Sequence, residues 1–246
     1  MRPPRHIRSF VLRAGRLTAA QERALNEHWA AFGLDADDDG PLDLERIFAR
    51  RAPRWLEIGF GTGEVIGALA QNNPDIDYVG IEVHRPGVGR LLLHAAAGNL
   101  CNLRIICHDA VEVLRDKISD QCFDEILVFF PDPWHKKRHH KRRLIDAPFV
   151  ACLAAKLRAG GTLRLATDWQ DYAEQMLAVC NAAGELSSQS PDATYVARPD
   201  FRPPTRFERR GARLGHGVWD LAYSKKTAVN PIDDELHGER RENHAG

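Results

Sequence analysis

Glu57-Ile58-Gly59-Phe60-Gly61-Thr62-Gly63 places a carboxylate before three glycines at alternate positions. Arg54-Trp55-Leu56 leads into it with strand character, and the helix-like residues 64–69 follow. A strand that breaks into a glycine-rich turn and re-enters a helix brings backbone close to a ligand, where a Cβ would obstruct the approach. The dinucleotide spacing Gly-x-Gly-x-x-Gly does not fit, because Glu64 and Val65 follow Gly63. An acid at the turn would repel a pyrophosphate, whereas Glu57 suits a cation. The bland alternative is a tight turn with no ligand.

Phe129-Phe130-Pro131-Asp132-Pro133-Trp134 is the second such segment, and His135-Lys136-Lys137-Arg138 follows at once. The flanking prolines restrict the backbone on either side of Asp132 and so present its carboxylate rigidly. Trp134 offers a flat face for a base, and the run from His135 to Arg143 offers charge for phosphates. An isolated basic run would be a solvated helix face; this one starts at a strand's end. The glycine segment resembles the first motif of class I S-adenosylmethionine (SAM) methyltransferases, whose cofactor carries an ammonium and a sulfonium. Pro131-Asp132-Pro133-Trp134 is also similar to the Asp/Asn-Pro-Pro-aromatic motif of amino methyltransferases, although it departs from it.

The elements that would position these residues alternate. Strands are predicted at 54–58, 77–82, 103–107, 124–130, 161–166 and 217–224. Helices are predicted at 18–32, 63–72, 86–98, 110–118, 142–158 and 170–183, with Pro148 at a start or kink of the fifth of these. That alternation predicts an α/β fold, a mostly parallel, doubly wound Rossmann-like sheet with helices on both faces. Ligands then lie beyond the strands' carboxyl ends. Five strand ends carry acids there: Glu57, Glu82, Asp109, Asp132 and Asp168. One would be read as a helix cap; five along one edge point to a nucleoside-type ligand, with Glu82 placed to accept ribose hydroxyls. Residues 1–20 read as a flexible basic arm, 21–53 as a helix and acidic loop, 54–225 as the core domain and 226–246 as a polar, disordered tail.

Composition sets limits. Apolar residues make up 43% and charged residues 28% of the 246, ordinary for a soluble domain. No apolar run approaches the roughly 18 residues of a membrane span. Arg2, Arg5 and Arg8 are not followed by the apolar core of a signal peptide, and a cytoplasmic location is expected. The five cysteines are scattered with no Cys-x-x-Cys pair, so buried thiols are expected and neither a disulfide framework nor a metal site. Net charge is zero, yet basic residues segregate at 1–16, 135–143 and 202–213 while acids collect at 35–39 and in the tail. Such separation leaves a basic face for a nucleic acid.

The chain resembles the bacterial tRNA (guanine-N7-)-methyltransferase family, of the TrmB type, over about residues 5–225. The resemblance rests on Glu57-Ile58-Gly59-Phe60-Gly61, Gly80-Ile81-Glu82-Val83-His84, Phe130 to His139, Ala166-Thr167-Asp168-Trp169 and Thr205-Arg206-Phe207-Glu208. The opening Ile7-Arg8-Ser9-Phe10-Val11 followed by Gly15-Arg16 is similar as well. It implies methyl transfer from SAM, giving S-adenosylhomocysteine, to N7 of the variable-loop guanosine of tRNA, conventionally position 46. No metal and no obligatory protein partner are implied. Cofactor contacts are implied at Glu57, Glu82, Asp109 and Asp132, with the glycine turn of Gly59, Gly61 and Gly63 beside them. Catalysis is implied at Asp132. tRNA contacts are implied at Lys136, Asp168 and the run Thr205, Arg206, Phe207 and Glu208. An RNA-contacting stretch covers Arg138, His139, His140, Lys141, Arg142 and Arg143.

Guanine N7 carries an in-plane lone pair, so it needs no deprotonation before attacking a methyl, and no general base is demanded. Positioning and a carboxylate near the charge that develops on the purine would suffice. Guanine is best told from adenine by a carboxylate accepting from N1–H and the N2 amine, because a cation on N7 would block attack. Asp168 and Glu208 are the candidates; their bland alternatives are a cap of the following helix and an exposed ion pair with Arg206 or Arg209. Methylation of an exocyclic amine, and an RNA-binding protein without activity, stay open at this point.

Overall fold

The computed structural model describes residues 9–10, 16–36, 40–203, 208 and 217–227. Expectations for the rest of the N-terminal arm, for Thr205 to Phe207 and for the tail beyond 227 lie outside these residues.

Eight strands form one sheet: β1 (Gly33–Leu34), β2 (Arg54–Ile58), β3 (Asp77–Ile81), β4 (Leu103–Ile106), β5 (Phe123–Phe129), β6 (Leu157–Thr167), β7 (Leu186–Ser188) and β8 (Trp219–Lys225). Their order is β1-β4-β3-β2-β5-β6-β8-β7. β1 to β6 pair in parallel, and β8 runs antiparallel to both β6 and β7. Among the described residues the named helices are α1 (Ala19–Phe32), α2 (Leu44–Phe48), α3 (Glu64–Asn72), α4 (Arg85–Gly98), α5 (Ala110–Asp116), α6 (Ala147–Lys156) and α7 (Gln170–Ala182), with a 3₁₀ helix at Lys137–Arg142. No helix among the described residues is long and apolar enough to cross a membrane.

Strand periodicity separates two cores. Leu56, Val79, Ile126, Val128, Leu163 and Leu165 face one side and pack with α5, α6 and α7. Tyr78, Leu127 and Phe129 face the other and pack with α1, α3 and α4. Alternate residues of a strand point to opposite faces, so each strand serves both layers. The fold class is the one expected. Strands β1 and β7 fall in segments with no strand reading: each is only two or three residues long and takes its place by pairing, not by local pattern.

The predicted helix 142–158 divides. The 3₁₀ helix ends at Arg142, and α6 begins at Ala147 with Asp146 capping it (Phe149 N–H to Oδ1, 2.9 Å) and Pro148 in its first turn. Proline is accepted there because the first-turn N–H groups have no helical partner.

Between β4 and β5 the chain returns past its starting strand, so β2 and β5 become neighbours. The crevice beyond their carboxyl ends is the switch point of the sheet.

Candidate functional site

A cavity of about 640 Å³ opens at that crevice. Its walls include Gly59 and Gly61 after β2, Glu82 after β3, Asp109 after β4, and Phe130 to Lys136 after β5. Three carboxylates and two glycines that were far apart in sequence thus share one wall.

The glycines divide by role. Gly59 (φ 73°) and Gly61 (φ 57°) both take left-handed conformations, and a Cβ on either would meet nothing within 4 Å. They leave open space at the cavity, as a close-lying ligand requires. Gly63 (φ 76°) does not line the cavity; it caps α3, and a Cβ there would lie 2.7 Å from Leu91 Cδ1. It serves helix packing, which corrects its assignment to the cofactor.

Glu82 organises the loop. Its Oε2 accepts from Gly61 N–H (2.8 Å), and Oε1 accepts from Val83 N–H (2.8 Å) and His84 N–H (2.9 Å). A carboxylate has about four acceptor sites, so capacity for a hydroxyl is left. Asp109 lines the cavity and also caps α5, accepting from Val111 N–H at 2.9 Å. Glu57 sits behind the wall: it is 4% exposed and does not line the cavity. Its Oε2 is buried without a hydrogen-bond partner among the described residues. Burial, reinforced by the nearby negative charge of Glu82 and opposed by the Ile66 backbone N–H, pushes its carboxyl up to about 8. A buried carboxylate short of a partner beside a second carboxylate fits a cationic ligand, which would favour its charged form.

Asp132 is exposed to the cavity at the end of β5. Phe130 (φ 53°) and Trp134 (φ 49°) bracket it, both in the left-handed region that bulky side chains avoid. Backbone strain of this kind collects where geometry serves function. Trp134 is held by its own bonds: Nε1 donates to Ser9 O (2.9 Å), and the Arg142 guanidinium lies 4.0 Å from the ring centroid. Arg142 therefore occupies one face of the ring.

The basic run separates into two groups. Lys136, Arg138 and Lys141 are exposed, while His139, His140 and Arg142 are half-buried. Desolvation, followed by the surrounding cations, holds His139 below the usual histidine range. Arg143 is different, with a side chain 1% exposed and paired with Asp171. A buried, paired guanidinium is not available to a phosphate, which overturns the expectation for Arg143.

Asp168 is half-buried and lines a second cavity of about 570 Å³ with Trp169, Asp171, Glu174 and Trp219. The N-cap of α7 is Trp169, so Asp168 is not its cap. His135 lines the first cavity and Trp169 the second, and their rings meet edge to face at 4.3 Å. That ring pair joins the linings of the two cavities.

Glu208 is buried, not exposed, and pairs with Arg202; Arg206 and Arg209 lie outside the described residues. Arg202 is 0% exposed; its Nη2 donates to Glu208 Oε1 (2.8 Å), and Nη1 and Nη2 donate to Asp220 Oδ1 and Oδ2 (2.6 and 3.0 Å). The guanidinium also lies 4.8 Å from the Phe129 ring centroid. This cluster escaped the sequence reading. Its signal was Asp220 at an inward position of the otherwise apolar strand Asp220-Leu221-Ala222-Tyr223, since a charge on an inward position needs a buried partner.

The sheet order, the glycine turn and the acid-lined edge define the class I SAM-dependent methyltransferase fold. Solved structures agree on the fold. An aminoglycoside resistance methyltransferase, NpmB1, superposes with a TM-score of 0.51 at 15% identity, covering 74% of this chain and 92% of that one. A 16S rRNA (adenine(1408)-N(1))-methyltransferase crystallised with SAM gives 0.53 at 15% identity, over 79% and 95%. The family model described as "Putative methyltransferase" matches residues 51–221. tRNA (guanine-N(7)-)-methyltransferases are similar along nearly the whole chain. The protein from Thiobacillus denitrificans is 56% identical over 89% of this chain and 96% of its own. That from Shewanella oneidensis is 52% identical over 90% and 92%. The chain belongs to the tRNA (guanine-N7-)-methyltransferase family.

Proposed function

We propose that the chain transfers a methyl group from SAM to N7 of the guanosine at position 46 in the tRNA variable loop, giving 7-methylguanosine. The observation that carries this is the end of β5. A rigidly held carboxylate, Asp132, faces the cavity while Lys136 and Arg138 stand exposed a few residues away.

The residues present fit SAM. Gly59 and Gly61 leave room for its approach, Glu82 retains an acceptor for a ribose hydroxyl, Asp109 lies on the same wall, and Glu57 supplies buried negative charge. When bound, SAM supplies an electrophilic methyl on a sulfonium. Asp132 stabilises the positive charge that arises on the purine as N7 gains the methyl. Asp168, on the second cavity, accepts from the guanine N1–H and N2 amine. Glu208 is buried against Arg202, so the half-buried Asp168 is the better-placed candidate for the guanine-reading role. Lys136, Arg138 and Lys141 hold phosphates, and the polypeptide works in the cytoplasm without a partner subunit.

The test is incubation of the purified chain with methyl-labelled SAM and unmodified tRNA transcript, followed by digestion and identification of the labelled nucleoside. Label in 7-methylguanosine from the variable loop is expected. Label on an exocyclic amine, or none, overturns the proposal.

A further inference from the structure

The connection from β5 to α6 carries Asp132 near one end and Arg143 near the other, and Arg143 folds back onto the first. Its Nε donates to the carbonyl of Pro133, the residue after Asp132, at 2.9 Å. The same guanidinium reaches α7. Nη1 donates to Gln175 Oε1 (2.8 Å), Nη2 donates to Asp171 Oδ2 (2.5 Å), and the group lies 4.7 Å from the Tyr172 ring centroid. Asp171 and Gln175 are four residues apart on one helix face.

The chain after Arg143 is held by the same helix. Ile145 N–H donates to Tyr172 Oη (2.9 Å), and Gln175 Nε2 donates to Ile145 O (3.0 Å). α7 starts two residues after Asp168. One buried guanidinium thus ties the loop of Asp132, on the first cavity, to the helix that follows Asp168, on the second. These are the donor side and the acceptor side of the proposed transfer.

We infer that Arg143 is a positioning residue that fixes the spacing between the Asp132 loop and the Asp168 edge, and not a phosphate contact. The inference rests on the proposed methyl transfer. Its physical basis is that transfer between two bound partners depends steeply on alignment, with about 100-fold lost for a 1 Å misplacement. Arginine is required because its planar fork serves three directions at once; a lysine ammonium keeps the charge but cannot hold that geometry.

The experiment uses the full chain and the variants Arg143→Lys, Gln175→Met and their combination. The single-turnover rate is measured at saturating SAM and tRNA, per SAM-binding site, so that loss of folded protein does not enter. SAM affinity and the salt dependence of tRNA affinity are measured on the same samples. For Arg143→Lys the rate is expected to fall about 100-fold, with both affinities within about threefold of wild type and an unchanged salt slope. Gln175→Met is expected to lower the rate about tenfold, and the double variant to be no worse than Arg143→Lys, as coupled groups are non-additive.

A rate for Arg143→Lys within about threefold of wild type overturns the inference. So does weaker tRNA binding with a shallower salt slope at an unchanged rate, the signature of a phosphate contact. Should Arg143→Lys not fold, Gln175→Met decides alone: a lowered rate with intact SAM affinity supports the clamp, and an unchanged rate refutes it. The wild-type product tests the proposed function separately. Label on another atom corrects that reading while the variant ratios still judge Arg143, and a wild type that transfers no methyl to tRNA overturns both.

Discussion

Binding of SAM at pH 7 should release a proton from Glu57. In the ligand-free protein burial lifts this carboxyl from 4.5 to about 8, so it is about nine-tenths protonated at pH 7. A cation entering beside Glu57 favours its charged form, and Glu57 ionises. The ammonium of the cofactor, with an ordinary value of about 7.7–8.0, is already mostly protonated and takes up little. Net release should therefore be roughly 0.8 proton per SAM. The assay is calorimetric titration of SAM in buffers of different ionisation enthalpy, whose slope counts protons. Glu57→Gln should remove the release and weaken binding.

The same shift governs stability without ligand. Between about 4.5 and about 8 the folded protein holds a proton on Glu57 that the unfolded chain does not. The stabilisation is full below about 4.5 and is lost as pH rises through about 8, by at most roughly 5 kcal/mol. Glu57→Gln should flatten that dependence. Binding heats independent of the buffer, or the same proton release from the glutamine variant, would refute the reasoning.

Asp132→Ala should lower turnover by about 10²–10³-fold with SAM still bound, measured as labelled 7-methylguanosine per minute; near-normal turnover would remove Asp132 from catalysis. Gly63→Ala, which drives a Cβ onto Leu91 at positive φ, should cost about 1–3 kcal/mol in urea unfolding with SAM affinity nearly kept. Gly61→Ala carries the same positive-φ strain without a clash and should lose SAM affinity as well, because its Cβ would take up space at the cavity. Arg202→Met removes the bidentate guanidinium from the buried carboxylate of Asp220 and should cost about 3–5 kcal/mol by denaturant unfolding. The exposed Lys136 and Arg138 should each contribute a little under one unit, about 0.7–0.9, to the slope of log tRNA affinity against log salt; alanine variants with unchanged slopes would exclude phosphate contact.

Much of this protein is local in origin and was legible in the chain. The alternation of apolar runs dictates strands and helices, and consecutive parallel strands place their carboxyl ends on one edge. Glu82, Asp109, Asp132, Gly59 and Gly61 could therefore be assigned to a common wall from spacing alone, and they line one cavity. Family motifs extended that reading to Asp168 and the basic run.

What depends on contacts between distant segments was not legible. Gly63 and Gly61 share a sign of φ, yet only packing against Leu91 makes the first a helix-contact residue. Arg143 closes a run of basic residues that reads as uniform, but the turn after the 3₁₀ helix rotates it inward onto Asp171 and Gln175. Glu208 was paired in sequence with near neighbours, whereas it bonds the buried Arg202, which Asp220 of β8 holds in place. A charge looks the same in sequence whether it faces water or a partner; burial decides which, and burial is a property of the assembled fold.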